Sequence, residues 1–220
     1  MTQTRRWRTS MLGACVVALT ATGCIGAVDR GDFENLVHER GGGLVTALPA
    51  AAIEALRERL GVADFQTSVI LLTAPNSSQL RIVVPDQPPQ LTRFLSEKNN
   101  LAGPQAWAHL RIRVPQQSEQ LDDYTFGQGS LSKPTPVQVS ASDDLDGEAF
   151  AVSEVTGLSR IEDVVDTALA RSGLEQGYVS TILANRFGRD ILITVNVTSP
   201  RAAAVAQFDR AGAFIRVQRA

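Results

Sequence analysis

The sequence predicts an α+β fold: two tandem βαββαβ modules, packed together, behind an N-terminal signal segment. Three observations carry this. Hydrophobic periodicity alternates between helical and extended spacing along the chain. Residues in the N-terminal half recur in the C-terminal half: Gly61, Ser68, Ile70 and Leu71 fall on Gly173, Ser180, Ile182 and Leu183 at an offset of 112. Ile82, Val84 and Pro89 fall on Ile193, Val195 and Pro200 at 111, and Ile112-Arg113-Val114 returns as Ile215-Arg216-Val217 at 103. Finally, the elements follow one another in the same order in both halves, which is the stronger sign of an internal repeat.

In the first half, Pro49 opens a helix through Leu60, with Ile53, Leu56 and Leu60 on one face and Gly61 as its stop. Residues 65–74 (FQTSVILLTA) read as a strand, Pro75 to Ser78 as a turn and Gln79 to Val84 as a second strand. Pro88 to Lys98 reads as a second helix burying Leu91, Phe94 and Leu95, and His109 to Val114 as a strand. In the second half, Ser159 and Glu162 form a capping box ahead of a helix striped by Ile161, Val164, Val165, Ala168 and Leu169 and ended by Gly173. Gly177 to Asn185 and Asp190 to Thr198 form a hairpin, Pro200 to Ala211 a helix, and Ala213 to Gln218 the last strand. Adding a strand at Gly43 to Leu48 and another at Ala149 to Val155 completes the ferredoxin-like order, in which two helices cover one face of a four-stranded sheet.

The division that follows is 1–23 signal peptide, 24–32 lipidated tether, 33–115 first module, 116–142 linker and 143–220 second module. The linker is polar and broken by Gly127, Gly129, Pro134 and Pro136, with room for a small hairpin of 124–126 and 137–139. Each module alone is marginal for an independent core. Val69 to Leu72 are apolar on both strand faces, which suggests that the modules stack.

Arg5, Arg6 and Arg8 precede a short apolar stretch from Met11 to Ala21, the n- and h-regions of an export signal. The apolar stretch is about half of the roughly 20 residues that a membrane-crossing helix requires. Ala21-Thr22-Gly23-Cys24 resembles the lipobox of bacterial lipoproteins, with Ala21 where Leu is commoner. The resemblance implies cleavage before Cys24, a diacylglycerol thioether on its sulfur and acylation, as with palmitate, of the new amine. Arg5-Arg6 is faintly similar to a twin-arginine signal but lacks the apolar residues that follow it there, which leaves the export route open. Arg outnumbers Lys 19 to 2, and this together with the lipobox resembles actinobacterial lipoproteins.

Composition narrows the function. The chain has 220 residues and a net charge of −2. Once Arg5, Arg6 and Arg8 are removed, 18 basic residues face 23 acidic ones, a net of −5. Such a body attracts neither nucleic acid nor anionic headgroups, so the lipid on Cys24 must supply the membrane attachment. Of the two cysteines, Cys15 lies in the removed segment, leaving no thiol for catalysis or zinc. His38 and His109 lack the partners of a hydrolytic triad, and Arg40-Gly41-Gly42-Gly43 lacks the spacing and lysine of a phosphate loop. The acidic run Asp143 to Glu148 fits the start of a calcium loop but puts Ser153 at the position that needs Glu, so it reads as a solvated turn.

His109, Arg111 and Arg113 share one side of a strand expected at a sheet edge, and form a candidate contact for an anion or an acidic partner. The alternative is a row of solubilising edge charges. These readings predict a non-enzymatic lipoprotein on the outer face of the cytoplasmic membrane, without cofactor or metal, that acts as a scaffold for an unidentified envelope protein. The alternative is a carrier that holds a lipid or small apolar ligand between the modules. An inner-ring role in a secretion machine and a carboxylate- or Arg/Tyr-based enzyme are weaker readings.

Overall fold

The structure, a computed structural model, describes residues 30–45, 47–77, 87–97, 103–141 and 143–219. The signal peptide, Cys24, most of the tether and the strand expected at Gln79 to Val84 lie outside the described residues.

Helix α1 (Arg30–Glu39) turns through Gly41, Gly42 and Gly43, all at positive φ, into α2 (Leu48–Leu60). Helix α2 carries Pro in its first turn and ends on Gly61, whose φ of 66° lets its N–H close on the Arg57 carbonyl. Strand β1 (Gln66–Thr73), helix α3 (Pro89–Glu97) and strands β2 (Trp107–Val114) and β3 (Gln117–Gly127) follow. Next come the short strands β4 (Ser130–Leu131) and β5 (Thr135–Val137), the single turn α4 (Leu145–Glu148) and β6 (Phe150–Ala151). Two 3₁₀ turns, Val152–Glu154 and Thr156–Arg160, lead into α5 (Ile161–Ser172), which also ends on a left-handed glycine, Gly173. The chain closes with β7 (Tyr178–Phe187), β8 (Asp190–Thr198), β9 (Ala203–Asp209) and β10 (Phe214–Arg219).

The strands make one antiparallel sheet in the order β10-β9-β8-β7-β1-β2-β3-β4, with β5 beside β3 and β6 beside β1. The halves therefore meet edge to edge at β1 and β7. Their register sets Leu71 opposite Leu183, Leu72 opposite Ile182 and Ile70 opposite Ala184. Positions 71 and 183, aligned in sequence at the offset of 112, thus face each other across a local two-fold.

Strand alternation sorts the core. Ile70 and Leu72 of β1, Leu110 and Ile112 of β2, and Ile193 and Val195 of β8 point to the face carried by α2 and α5. There α2 lies over β2 to β4 and α5 over β7 to β10. Val69, Leu71 and Leu183 point the other way, against Leu91 and Phe94 of α3.

An α+β chain dominated by antiparallel sheet is what the structure shows; two ferredoxin-like modules it does not. Residues 43–45 and Ala47 are turn and Leu48 begins α2, and of 149–155 only Phe150 and Ala151 are strand. The helix expected over 200–211 is β9. Its alanines favour helix locally, but Ala203 to Phe208 are buried on both faces and pair with β8 and β10, so tertiary pairing overrides propensity. Helix α3 sits on the face opposite α2, and so it, rather than a stacked module, explains why β1 is apolar on both sides. Much of the expected linker belongs to the sheet: it supplies β3, β4 and β5, and β3 pairs with β2 through a two-residue turn at Pro115 and Gln116. The capping box does not form either; α5 begins at Ile161, and the Ser159 hydroxyl donates to the Thr156 carbonyl at 2.7 Å.

Candidate functional site

The row His109, Arg111 and Arg113 lies on β2, an inner strand flanked by β1 and β3. The expected edge position is thereby corrected: the row lies inside the sheet, with Arg111 under α3. Arg111 is fully buried. Its guanidinium grips Asp123, its direct cross-strand neighbour, through Nε to Oδ1 at 2.8 Å and Nη2 to Oδ2 at 3.0 Å. The same group donates to Glu97 Oε2 at 2.5 Å and to the Gln90 carbonyl and Oε1 at 3.2 and 3.3 Å, and it lies 5.2 Å from the Phe94 ring centre. Burial alone would lower the Arg111 pKa, but the hydrogen bonds and charges of Asp123 and Glu97 outweigh it and hold the pKa above its ordinary value. His109 Nδ1 is 3.2 Å from Thr125 Oγ1. Arg113 bonds Asp146 Oδ1 at 2.7 Å and the Ser118 carbonyl at 2.9 Å.

The acidic run is likewise tied to the fold. Asp143 takes a bidentate bond from Arg93 at 2.8 and 3.0 Å, which holds its carboxyl below the ordinary range. Asp144 Oδ1 accepts the Gly147 N–H, and the buried Glu148 accepts the Gln90 N–H at the start of α3. Burial pushes the Glu148 carboxyl up. Together these contacts clamp α3 and α4 to the sheet. Sequence reasoning missed Asp123, Glu97 and Gln90. A regular hairpin about Pro115 and Gln116 sets Arg111 opposite Gln120; the bulge between Arg113 and Val114 moves its partner to Asp123, and the polar composition of 116–142 hid the strand as well.

A second feature lies on the other face. Between α2 and the 3₁₀ segment runs a groove of about 680 Å³. Val152, Val155 and Leu158 are buried in its floor and Ile53 is half-buried beside them, whereas Glu54, Ser153, Thr156 and Ser159 are exposed along it. The walls are held firmly. In α2, Pro49, Ala52 and Leu56 point to the sheet, which leaves Ala50, Ile53, Glu54 and Arg57 toward the groove. On the far wall, Ser153 donates through Oγ to Asp64 Oδ2 at 2.6 Å, and the Glu154 carboxylate accepts the Ala151 N–H at 2.9 Å. The Gly157 N–H reaches the Arg210 carbonyl at 2.8 Å, and a Cβ at Gly157 would meet the Gly212 nitrogen at 2.7 Å. Only glycine permits that approach of segment to turn. Arg57 Nε is buried in the groove wall without a hydrogen-bond partner among the described residues. Among the described residues, no helix is long and apolar enough to cross a membrane.

No family model matches the chain, and no curated protein is similar to it. Among solved structures it is similar to a Clostridium difficile 630 protein named as a candidate lipoprotein, with a TM-score of 0.46 and 8% identity, over 79% of this chain and 93% of that one.

Proposed function

We propose that this is a non-enzymatic lipoprotein of the actinobacterial type, held by a lipid on Cys24 at the outer face of the cytoplasmic membrane, which binds an apolar segment of an envelope protein in the groove between α2 and the 3₁₀ segment. The observation that carries the reading is the groove itself: preformed, apolar in its floor, polar along its sides and open to solvent. A buried apolar centre within a polar rim is the anatomy of a protein interface. Walls fixed by Asp64, Arg210 and Gly212 keep the ordering cost of binding low.

The carrier reading is supported by the groove's volume, which falls within the roughly 300–1,000 Å³ of ligand pockets. Such pockets enclose about 70–90% of their ligand, however, and this groove is open along its length. The place first expected for a ligand, between the halves, is filled by the β1–β7 pairing and the side chains packed on it.

The test places a photo-crosslinking amino acid at exposed Ala50 and, as a control, at exposed Arg189 in the β7–β8 turn, in the lipidated protein in its own host. The expected result is a crosslink to one protein from position 50, absent from position 189 and lost on Ile53→Asp. If native mass spectrometry instead finds an apolar small molecule that Ile53→Asp releases, the carrier reading replaces the scaffold. If position 50 yields neither, the groove is not the site.

A further inference from the structure

Among the described residues, the exposed large hydrophobics are Phe33, Leu36, Val37 and Ile215, at 57%, 46%, 39% and 50% exposure. Three of the four sit on α1 at spacing i, i+3, i+4, and so form one apolar face. This helix is not a loose appendage. The His38 ring packs 4.8 Å from the Tyr178 ring of β7. Arg40, just past its end, pairs with Asp166 and with Glu162 of α5. The helix is thus fastened to the body while its apolar face is turned to solvent.

The chain before it says what covers that face. Arg30 is six residues from Cys24, and six residues span about 20 Å at full extension. A lipid on Cys24 therefore keeps the start of α1 within about 20 Å of the bilayer. We propose that α1 lies on the bilayer surface with Phe33, Leu36 and Val37 at the boundary between headgroups and acyl chains, and that through Arg40 and His38 it fixes how the body stands on the membrane. This rests on the lipoprotein reading of Cys24. Asp32, Glu34 and Glu39 make the helix acidic, so basic charge does not recruit it as it does ordinary interfacial helices. The anchor supplies the high local concentration instead.

The experiment uses the full chain, lipidated in a bacterial host and reconstituted into phosphatidylcholine vesicles whose acyl chains are brominated near the headgroup. Phe33→Trp adds an indole to the parent protein. The expected result is at least twofold quenching of the added emission on brominated relative to plain vesicles, with Trp107 in the parent unchanged. A second readout is hydrogen exchange of the α1 amides. They should be about tenfold more protected in the lipidated protein on vesicles than in Cys24→Ser in solution, and that gain should vanish in a Phe33→Ser, Leu36→Ser, Val37→Ser variant that still floats with the vesicles.

Three results overturn the inference in different ways. A protein that carries the diacylglycerol mass on Cys24 and floats, yet shows neither quenching nor protection, keeps the anchor and removes the docked helix. A Cys24 peptide without added mass removes the anchor and the inference with it. A Cys24→Ser protein that dimerises in solution, and becomes monomeric on the triple serine substitution, assigns the face to a second copy.

Discussion

The two faces of the sheet are held in different ways, and β1 shows both at once. Ile70 and Leu72 enter a continuous apolar layer that runs under α2 and α5 from Leu44 to Phe208. One residue along on either side, Val69 and Leu71 join a smaller patch, five buried apolar residues among those described, bounded by Arg111, Asp123 and Glu97. Apolar contact is non-directional and on so small a patch would let α3 slide. The planar fork of Arg111 accepts partners in one arrangement, so the second face obtains from hydrogen-bond geometry the definition that the first obtains from area.

The largest effect is expected where that geometry is broken on one side only. Asp123→Leu leaves Arg111 buried with Glu97 as its remaining carboxylate, and should cost about 3–5 kcal/mol in urea unfolding. The double variant Asp123→Leu with Arg111→Met should recover most of the loss, because replacing both members of a buried pair is often close to neutral. Equal instability of single and double variants would show that the pair is not what fixes this face.

Next comes the direct contrast of neighbours. Leu71 and Leu72 are both essentially fully buried. Leu72→Ala, in the large layer, should cost about 2–5 kcal/mol, and Leu71→Ala should fall at the low end of that range, since one short helix can settle onto the gap. A costlier Leu71→Ala would reverse the comparison.

Gly157→Ala tests the apolar face without removing a contact. Its methyl group would press on the Gly212 backbone and Ile193, and overpacking of this kind costs about 1–3 kcal/mol. The melting temperature should fall, and crosslinking from position 50 should weaken as the groove wall shifts.

The smallest effects are those of pH, and two of them come from the charged face. Asp143 has a lowered folded pKa, so its contribution is present above the unfolded value and is lost as pH falls through the folded one. Arg93→Ala should move this acid loss to higher pH. Glu148 is raised, chiefly by burial, so the folded state binds its proton more tightly and stability declines as pH rises from the unfolded value to the folded one. Glu148→Gln keeps an acceptor for the Gln90 N–H and should flatten that decline. Both are read by denaturant titration between about pH 3 and 7. A Leu72→Ala protein should keep the parent's pH profile at lower overall stability.

How much of this was legible follows the same division. Helix α2 and its glycine, β1, α3, β2, α5 and the β7–β8 hairpin were readable because each carries its period and its stop signal locally. Strand β9 was not, because the alanines of 202–206 favour helix until β8 and β10 claim their backbone groups. Strand β3 was hidden by Ser118, Glu119, Gln120, Asp122 and Asp123, which look like a solvated linker unless Asp123 is known to meet Arg111. The groove was invisible for a related reason: Val152, Val155 and Leu158 recur every third residue, the spacing of 3₁₀ turns rather than of an α-helix or a strand, and the ties of Ser153 to Asp64 and of Gly157 to the β9–β10 turn bring them opposite α2.

The joining of β1 to β7 has a consequence for anyone who would divide this chain. A fragment containing residues 143–219 would fold its hairpin with β7 bare along the side that β1 covers. That side is central, has Ile182, Leu183 and Ala184 at its middle and, from Thr181 to Asn185, lacks the charges or prolines that blunt natural sheet margins. Such a fragment would find its missing neighbour in another fragment, and expression of either half alone should yield insoluble material where the whole chain stays in solution.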